Sequence, residues 1–177
     1  MGALRRGLGV AAILGAAAVA TAQQPPPQQQ QAQAQPTMHK LVTPSELVWG
    51  DGPPSLPPGV KMAVLYGDPG KQGLFVIRLK MPANFKIPAH WHPTDENVNV
   101  ISGAFMMGMA DKLDPAKAKE LPPGGFATMP AKTNHFAIAK KETIVQVTAM
   151  GPFAITYVNP EDDPRKTAAA TPTTPKK

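Results

Sequence analysis

Short apolar segments, separated by turns rich in glycine and proline, divide the chain between residues 60 and 158. In the clearest segment Phe75, Ile77 and Leu79 alternate with a valine, an arginine and a lysine, which is typical of a half-buried β-strand. Comparable segments lie at residues 60–66, 74–80, 86–92, 96–101, 104–109, 126–129, 135–139, 143–150 and 154–158. About nine short strands predict an all-β, antiparallel sandwich or barrel.

One helical segment interrupts the strand pattern at residues 114–120. Asp114 suits the cap of a helix, Pro115 suits its first position, and helix-forming residues follow. The expected fold therefore contains one short helix.

The two ends of the chain differ in composition from this central part. Arg5 and Arg6 precede an apolar stretch and a small-x-small cleavage sequence, so residues 1–22 are predicted to be a signal peptide. Residues 23–38 are mainly glutamine, proline and alanine, and we predict that they form a disordered linker. Residues 164–177 are predicted to be a disordered tail. One folded domain remains at residues 39–163.

The signal peptide predicts a periplasmic or secreted protein, with no stable membrane insertion after cleavage because its apolar stretch is short. An uncleaved membrane tether and a twin-arginine signal are the alternatives. The absence of cysteine excludes thiolate chemistry and thiolate metal sites. The 18 lysines and arginines are scattered among 12 acidic residues, so no nucleic-acid-binding surface is predicted.

Three of the four histidines fall in two short stretches of the sequence. Side chains alternate along a strand, so His90 and His92 project to the same face, and Glu96 has the same parity. His135 can join them from a distant strand. Such a mixed nitrogen and oxygen donor set suits one divalent transition metal (Fe, Mn, Ni, Cu or Zn) with positions left open.

The spacing of these residues resembles two motifs of the cupin superfamily. His90, His92 and Glu96, followed by Gly103, are similar to the first motif, and Pro130 with His135 to the second. The resemblance implies a double-stranded β-helix, or jelly-roll barrel, whose metal is held by the three histidines and the glutamate.

The sequence departs from the cupin motifs at three positions. Asn84 and Lys132 stand where the motifs have glycine, and Ala139 replaces a closing asparagine. Asparagine tolerates a left-handed backbone better than most residues, so we expect the turn at Asn84 to be retained. None of the four ligands is lost.

By resemblance, small cupins with this ligand set include dioxygenases and isomerases, so we expect a dioxygenase-type metalloenzyme acting on a small organic molecule. Glu96 is a candidate general base. The alternative is a non-catalytic periplasmic module that binds or senses a metal or a small ligand, and a closed tetrahedral zinc site would suit such a role. Edge strands and analogy with related cupins favour a homodimer.

Apolar and polar residues of the later strands are candidates for lining a pocket inside the barrel. The predicted pocket residues are Phe105, Met107, Phe136, Gln146 and Tyr157. Ordinary packing is the alternative for each of them, and core filling is favoured for the methionines that follow Gly103.

Overall fold

Eleven short strands form two antiparallel sheets within residues 39–169, the part of the chain that the computed structural model describes. The six-stranded sheet contains, in spatial order, β1 (Gly50–Asp51), β2 (Lys61–Tyr66), β3 (Gly73–Met81), β10 (Thr143–Gly151), β5 (Glu96–Ser102) and β8 (Phe126–Met129). The five-stranded sheet contains β11 (Thr156–Tyr157), β4 (Phe85–Trp91), β9 (His135–Ala139), β6 (Phe105–Gly108) and β7 (Lys119–Leu121). The predicted all-β jelly-roll fold is confirmed.

All nine predicted strands are present, together with two very short ones, β1 and β7. The helix expected at residues 114–120 is shorter than predicted, because only Pro115–Lys117 adopts a helical turn, of the 3-10 type. The Asp114 carboxylate caps this turn by accepting a hydrogen bond from the Ala116 amide at 3.0 Å. The following residues, Lys119–Leu121, instead extend the sheet beside β6.

The ends of the described region can be compared with the predicted boundaries only in part. The tail predicted from residue 164 begins instead with a short helix, α1 (Pro164–Ala169). Proline suits the first turn of a helix, and Asp163 accepts a hydrogen bond from the Arg165 amide at 3.0 Å. The predicted signal peptide and linker lie outside the described residues and stay predictions. In residues 39–169 no helix is long and apolar enough to span a membrane.

The main hydrophobic core lies between the two sheets. Strands β3, β5 and β10 contribute one wall and strands β4, β6 and β9 the other, and their inward-facing side chains are almost fully buried. Its larger members include Phe75, Ile77, Leu79, Phe85, Ile87, Val98, Val100, Phe105, Met107, Val145 and Val147. This core fixes the spacing of the two sheets at the end where the candidate site lies.

The outer face of the five-stranded sheet is also covered. Met106, Phe136 and Ile138 form a second buried cluster with Ala89, and residues of the segment between β6 and β7 pack against it. Every residue of β6 and β9 is therefore buried, and the alternation of apolar and polar residues is absent from both strands.

Two positions where the cupin motifs carry glycine retain the backbone conformation of glycine. Asn84 and Lys132 have φ angles of 63° and 62°, in the left-handed region. Gly103 keeps its glycine and has φ of 94°, and a side chain there would contact the Glu142 carbonyl oxygen and Thr143. The prediction that the turn at Asn84 is retained is thus confirmed, and Lys132 adopts the same left-handed backbone conformation.

Candidate metal centre

The ends of three strands bring the predicted ligand residues together. His90 lies near the end of β4 and His92 just beyond it, while Glu96 begins β5 and His135 begins β9. His90 is the direct partner of His135 in the antiparallel pairing of β4 with β9. Only 4%, 6%, 7% and 1% of these four residues, in chain order, are exposed. The structure therefore assembles all four in one buried site.

An irregularity in β4 turns His90 towards the interior. Phe85 and Ile87 face the main core, yet His90, which has the opposite parity, also faces inward. The pairing with β9 shifts between Ile87 and His90, where Pro88 lies in the strand. Proline has no amide hydrogen to donate to the sheet, so it is found at such bulges. The bulge, rather than simple alternation along the whole strand, gives His90 its direction.

Each histidine is oriented by a main-chain carbonyl. A carbonyl oxygen only accepts hydrogen bonds, so the Nδ1 atom facing it must carry the proton, and in the neutral ring Nε2 then carries a free lone pair. The Nδ1 atoms of His90, His92 and His135 donate to the carbonyls of Pro88, Ala154 and Thr133 at 2.7, 2.7 and 2.8 Å. The three rings are thus held in the tautomer that binds a metal through Nε2.

The inward-facing atoms lack partners of their own. His92 Nε2, His135 Nε2 and Glu96 Oε2 are buried without a hydrogen-bond partner among the described residues. Glu96 Oε2 lies 3.2 Å from His135 Nε2 and 3.6 Å from His92 Nε2. With neutral imidazoles these are contacts between two acceptors, which a cation placed between them would satisfy.

The spacing of the donor atoms fits a single metal ion. One donor atom from each of His90, His92 and His135 lies within 4.8 Å of the others. Metal–nitrogen and metal–oxygen bonds of about 2.0–2.2 Å place two ligands of one ion roughly 3–4 Å apart, close to the distances observed. The buried histidines can therefore hold a metal ion, and the donor atoms do not by themselves select which metal.

Burial adjusts the protonation of the site in the direction that metal binding requires. Burial, together with the neighbouring imidazoles of His135 and His92, lowers the pKa of His90 to about 3. Burial also lowers the pKa of His92. Burial alone would raise the pKa of Glu96, but its interactions with the neighbouring His135, His92 and His90 side chains outweigh this and lower that pKa. At neutral pH the site therefore holds neutral His90 and His92 beside a Glu96 carboxylate.

A cavity of about 260 Å³ adjoins the site, and three of the four ligands line it: His90, His92 and Glu96. The remaining lining residues are Pro53, Ser55, Leu56, Met62, Pro69, Gly70, Ile77, Leu79, Ile87, Val147, Phe153, Ala154 and Ile155. A molecule in the cavity would contact the side chains of these three ligand residues. This arrangement favours an open coordination position over a closed structural site.

The five predicted pocket residues do not line this cavity. Phe105 and Met107 pack in the main core, and Phe136 packs on the opposite face of its sheet, where its ring fills the space beside Gly108. The sequence could not distinguish these faces, because β6 and β9 are buried on both sides.

Gln146 and Tyr157 also have other roles. Gln146 lies on the outer face of the six-stranded sheet and accepts a hydrogen bond from Arg78 at 3.3 Å. The buried Tyr157 hydroxyl donates to the Ser55 carbonyl at 2.7 Å, and burial raises its pKa. Its ring centre lies 6.0 Å from that of His90, so Tyr157 supports the site from outside the cavity.

Phe153 and Ala154 are part of the site but were not identified in the sequence. The Phe153 ring stacks on His92 with ring centres 4.1 Å apart and planes inclined by 18°, and meets Phe75 edge-on at 5.1 Å. Ala154 supplies the carbonyl that orients His92. The only available signal was an apolar pair after a Gly-Pro turn, which gives no indication of contact with a histidine 62 residues away.

Comparison with known proteins gives the chain its family. A family model described as a domain of unknown function, DUF4437, matches residues 19–156. The chain belongs to this family. No curated protein matches the DUF4437 chain by sequence.

Solved structures similar to this DUF4437 protein have the cupin fold. A proposed acetylacetone dioxygenase from Methylibium petroleiphilum PM1 is 18% identical, with 75% of this chain and 94% of that chain covered and a TM-score of 0.55. The polyketide cyclase RemF from Streptomyces resistomycificus is 17% identical, with the same coverages and TM-score. An RmlC-like cupin from Shewanella frigidimarina is 14% identical, covering 65% and 94%, with a TM-score of 0.50. The resemblance to the cupin superfamily is confirmed at the level of the fold.

Proposed function

We propose that the protein is an exported, mononuclear metal-dependent oxygenase-type enzyme that acts on a small organic molecule. One observation carries the proposal: buried Nε2 and carboxylate atoms without partners converge beside a mostly apolar cavity. Each buried polar atom without a hydrogen-bond partner destabilises the folded protein by about 1–3 kcal/mol. A cation bound between several such atoms would remove this cost, so their clustering favours a bound metal ion. Two solved cupins of similar fold are described as a dioxygenase and a cyclase, which supports catalysis.

The ligand residues would hold the metal through His90, His92 and His135 Nε2 and the Glu96 carboxylate. A metal bound there would supply Lewis-acid or redox chemistry. The main-chain carbonyls keep the three Nε2 lone pairs directed inward, and the apolar walls exclude water from the reacting molecule.

Glu96 is the residue available for proton transfer. Among the described residues it is the only carboxylate that lines the cavity, and it could accept a proton from the bound molecule if the carboxylate leaves the metal. In the cavity lining described by the structure, no acid or base lies outside the ligand set. This favours a second candidate function, a non-catalytic module that binds a metal or a small ligand.

Metal content and oxygen uptake test the proposal together. Protein isolated from the periplasm without a histidine tag should carry about one equivalent of a redox-active metal. It should consume oxygen with at least one compound in a panel of phenols, diketones and thiols. His135→Ala should lose both metal and turnover, because its Nε2 is a ligand atom. His39→Ala is the matched control, since His39 is exposed and lies outside the site.

Each outcome separates the two candidate functions. Turnover by protein stripped of metal would contradict the enzymatic proposal. One tightly held metal with no oxygen uptake across the panel would favour the binding module. Location is tested separately by cell fractionation, where recovery of the intact chain from the cytoplasm would contradict export.

A further inference from the structure

The lining of the cavity beside the metal centre is mostly apolar. Its ionisable lining residues are His90, His92 and Glu96, all belonging to the site itself. Ser55 is the one other lining residue with a polar side chain, and its carbonyl already accepts the Tyr157 hydroxyl. Apart from these, the lining side chains are aliphatic, aromatic, proline or glycine.

Part of the apolar wall is built from inward faces of strands. Ile77 pairs with Val147 across β3 and β10, and Leu79 pairs with Met62 across β3 and β2. The backbone amides and carbonyls of these strands are engaged in the sheet, so the wall presents side-chain carbon and sulfur atoms to the cavity. A polar group of a bound molecule that reached this wall would have no side-chain hydrogen-bond partner there.

The charge of the lining adds a second restriction. No lysine or arginine is among the lining residues, and the one charged side chain other than the histidines is the Glu96 carboxylate. An anion buried against the apolar wall would lose its hydration without gaining a cationic partner. A neutral hydroxyl buried there would lose its hydrogen bonds to water.

The volume of the cavity limits the size of the occupant. Liquid water takes about 30 Å³ per molecule, so roughly nine non-hydrogen atoms fill the space at that density. The observed 260 Å³ therefore suits a single small ring or a short chain.

From this combination of wall, charge and volume we infer the substrate class. The cavity takes a molecule of about this size whose polar atoms all lie at one end, such as a monocyclic phenol or a short alcohol or ketone. Sugars, phosphate esters and molecules with a carboxylate opposite the reacting group are excluded. The inference rests on the proposed function in one respect, namely that the polar end is bound at the metal centre.

Binding of matched compounds tests the inference without requiring turnover. The metal-containing protein is titrated calorimetrically, without oxygen, with 4-methylphenol, 4-hydroxybenzoate and xylose. The first two differ only by a methyl group and a carboxylate opposite the hydroxyl. We expect 4-methylphenol to bind at least about ten-fold more tightly than either of the others, since 1.4 kcal/mol corresponds to a factor of ten.

A cation in the wall should weaken this preference. In Met62→Lys an ammonium group replaces a lining side chain, and the preference for 4-methylphenol over 4-hydroxybenzoate should fall about ten-fold. Leu74→Lys is the matched control, because Leu74 lies on the neighbouring strand, is exposed and does not line the cavity. If Met62→Lys fails to fold, the comparison in the unaltered protein decides the question.

Three results would overturn the inference: equal or tighter binding of 4-hydroxybenzoate, equal or tighter binding of xylose, or no binding of 4-methylphenol to metal-containing protein. Oxygen uptake is measured separately on the same samples. A clear preference for 4-methylphenol in protein that turns over nothing would support the substrate class and contradict the enzymatic proposal.

Discussion

Phe153→Leu provides the sharpest test of how the site is positioned. His92 lies one residue beyond the end of β4, so the sheet does not hold it directly. The Phe153 ring stacked on it and the Ala154 carbonyl bonded to its Nδ1 restrain the imidazole instead. Leucine keeps most of the side-chain volume and removes the aromatic face.

The expected magnitude follows from the two ring contacts of Phe153. An aromatic pair contributes about 0.5–1.5 kcal/mol beyond the area it buries, so losing the contacts with His92 and Phe75 should cost about 1–3 kcal/mol of stability. The contact with His92 accounts for about 1 kcal/mol of this and acts on a ligand. We therefore expect metal affinity to fall about five-fold, because 1.4 kcal/mol corresponds to a factor of ten.

Competition with a chromogenic chelator at pH 7 measures the metal affinity, and urea unfolding of the metal-free protein measures stability. Phe126→Leu is the matched control, because Phe126 is 54% exposed on β8 and touches no ligand. A purely structural role for Phe153 would lower the stability and leave metal affinity within two-fold of the original value. That result would refute the positioning argument.

Three further predictions concern pH and stability. Metal-free protein should lose stability as the pH falls from about 6.5 towards 3, because in that range His90 binds a proton in the unfolded chain but not in the folded one. The free energy of unfolding in urea should fall by up to about 1.4 kcal/mol per pH unit, and by less in His90→Gln. Gly103→Ala should destabilise by about 2 kcal/mol or more, since its φ is 94° and a methyl group would contact the Glu142 carbonyl oxygen; a small change in urea midpoint would contradict this. Tyr157→Phe should cost about 1 kcal/mol in the same assay and increase hydrogen exchange around Ser55, and unchanged exchange there would show that the hydroxyl does not hold that loop.

Sequence spacing was enough to predict which residues meet at the centre. The histidine pair lies near the end of β4 and the downstream histidine begins β9, so strand pairing brings His90 and His135 together, and Glu96 joins them from the facing sheet. The nine predicted strands follow from the same regularity. The orientation of His90 depends in addition on the bulge at Pro88, for which proline in a strand is the visible signal.

The walls of the cavity could not be predicted in the same way. Leu56, Pro69 and Phe153 belong to loops without periodic apolar patterns, and only the folded chain shows that they meet. The strand residues Phe105 and Phe136 were misassigned for the opposite reason. Both faces of β6 and β9 are buried, so alternation carries no information about which side adjoins a cavity.

The three imidazoles are all directed by main-chain carbonyls, of Pro88, Thr133 and Ala154. A point mutation can replace a side chain but leaves a peptide oxygen in place, so no single substitution deletes one of these acceptors. The direction of the three rings is therefore set mainly by the backbone path, with Phe153 as an additional restraint on His92. A protein engineer could vary Met62 or Leu79 to change which molecules the cavity binds while these carbonyl acceptors are preserved.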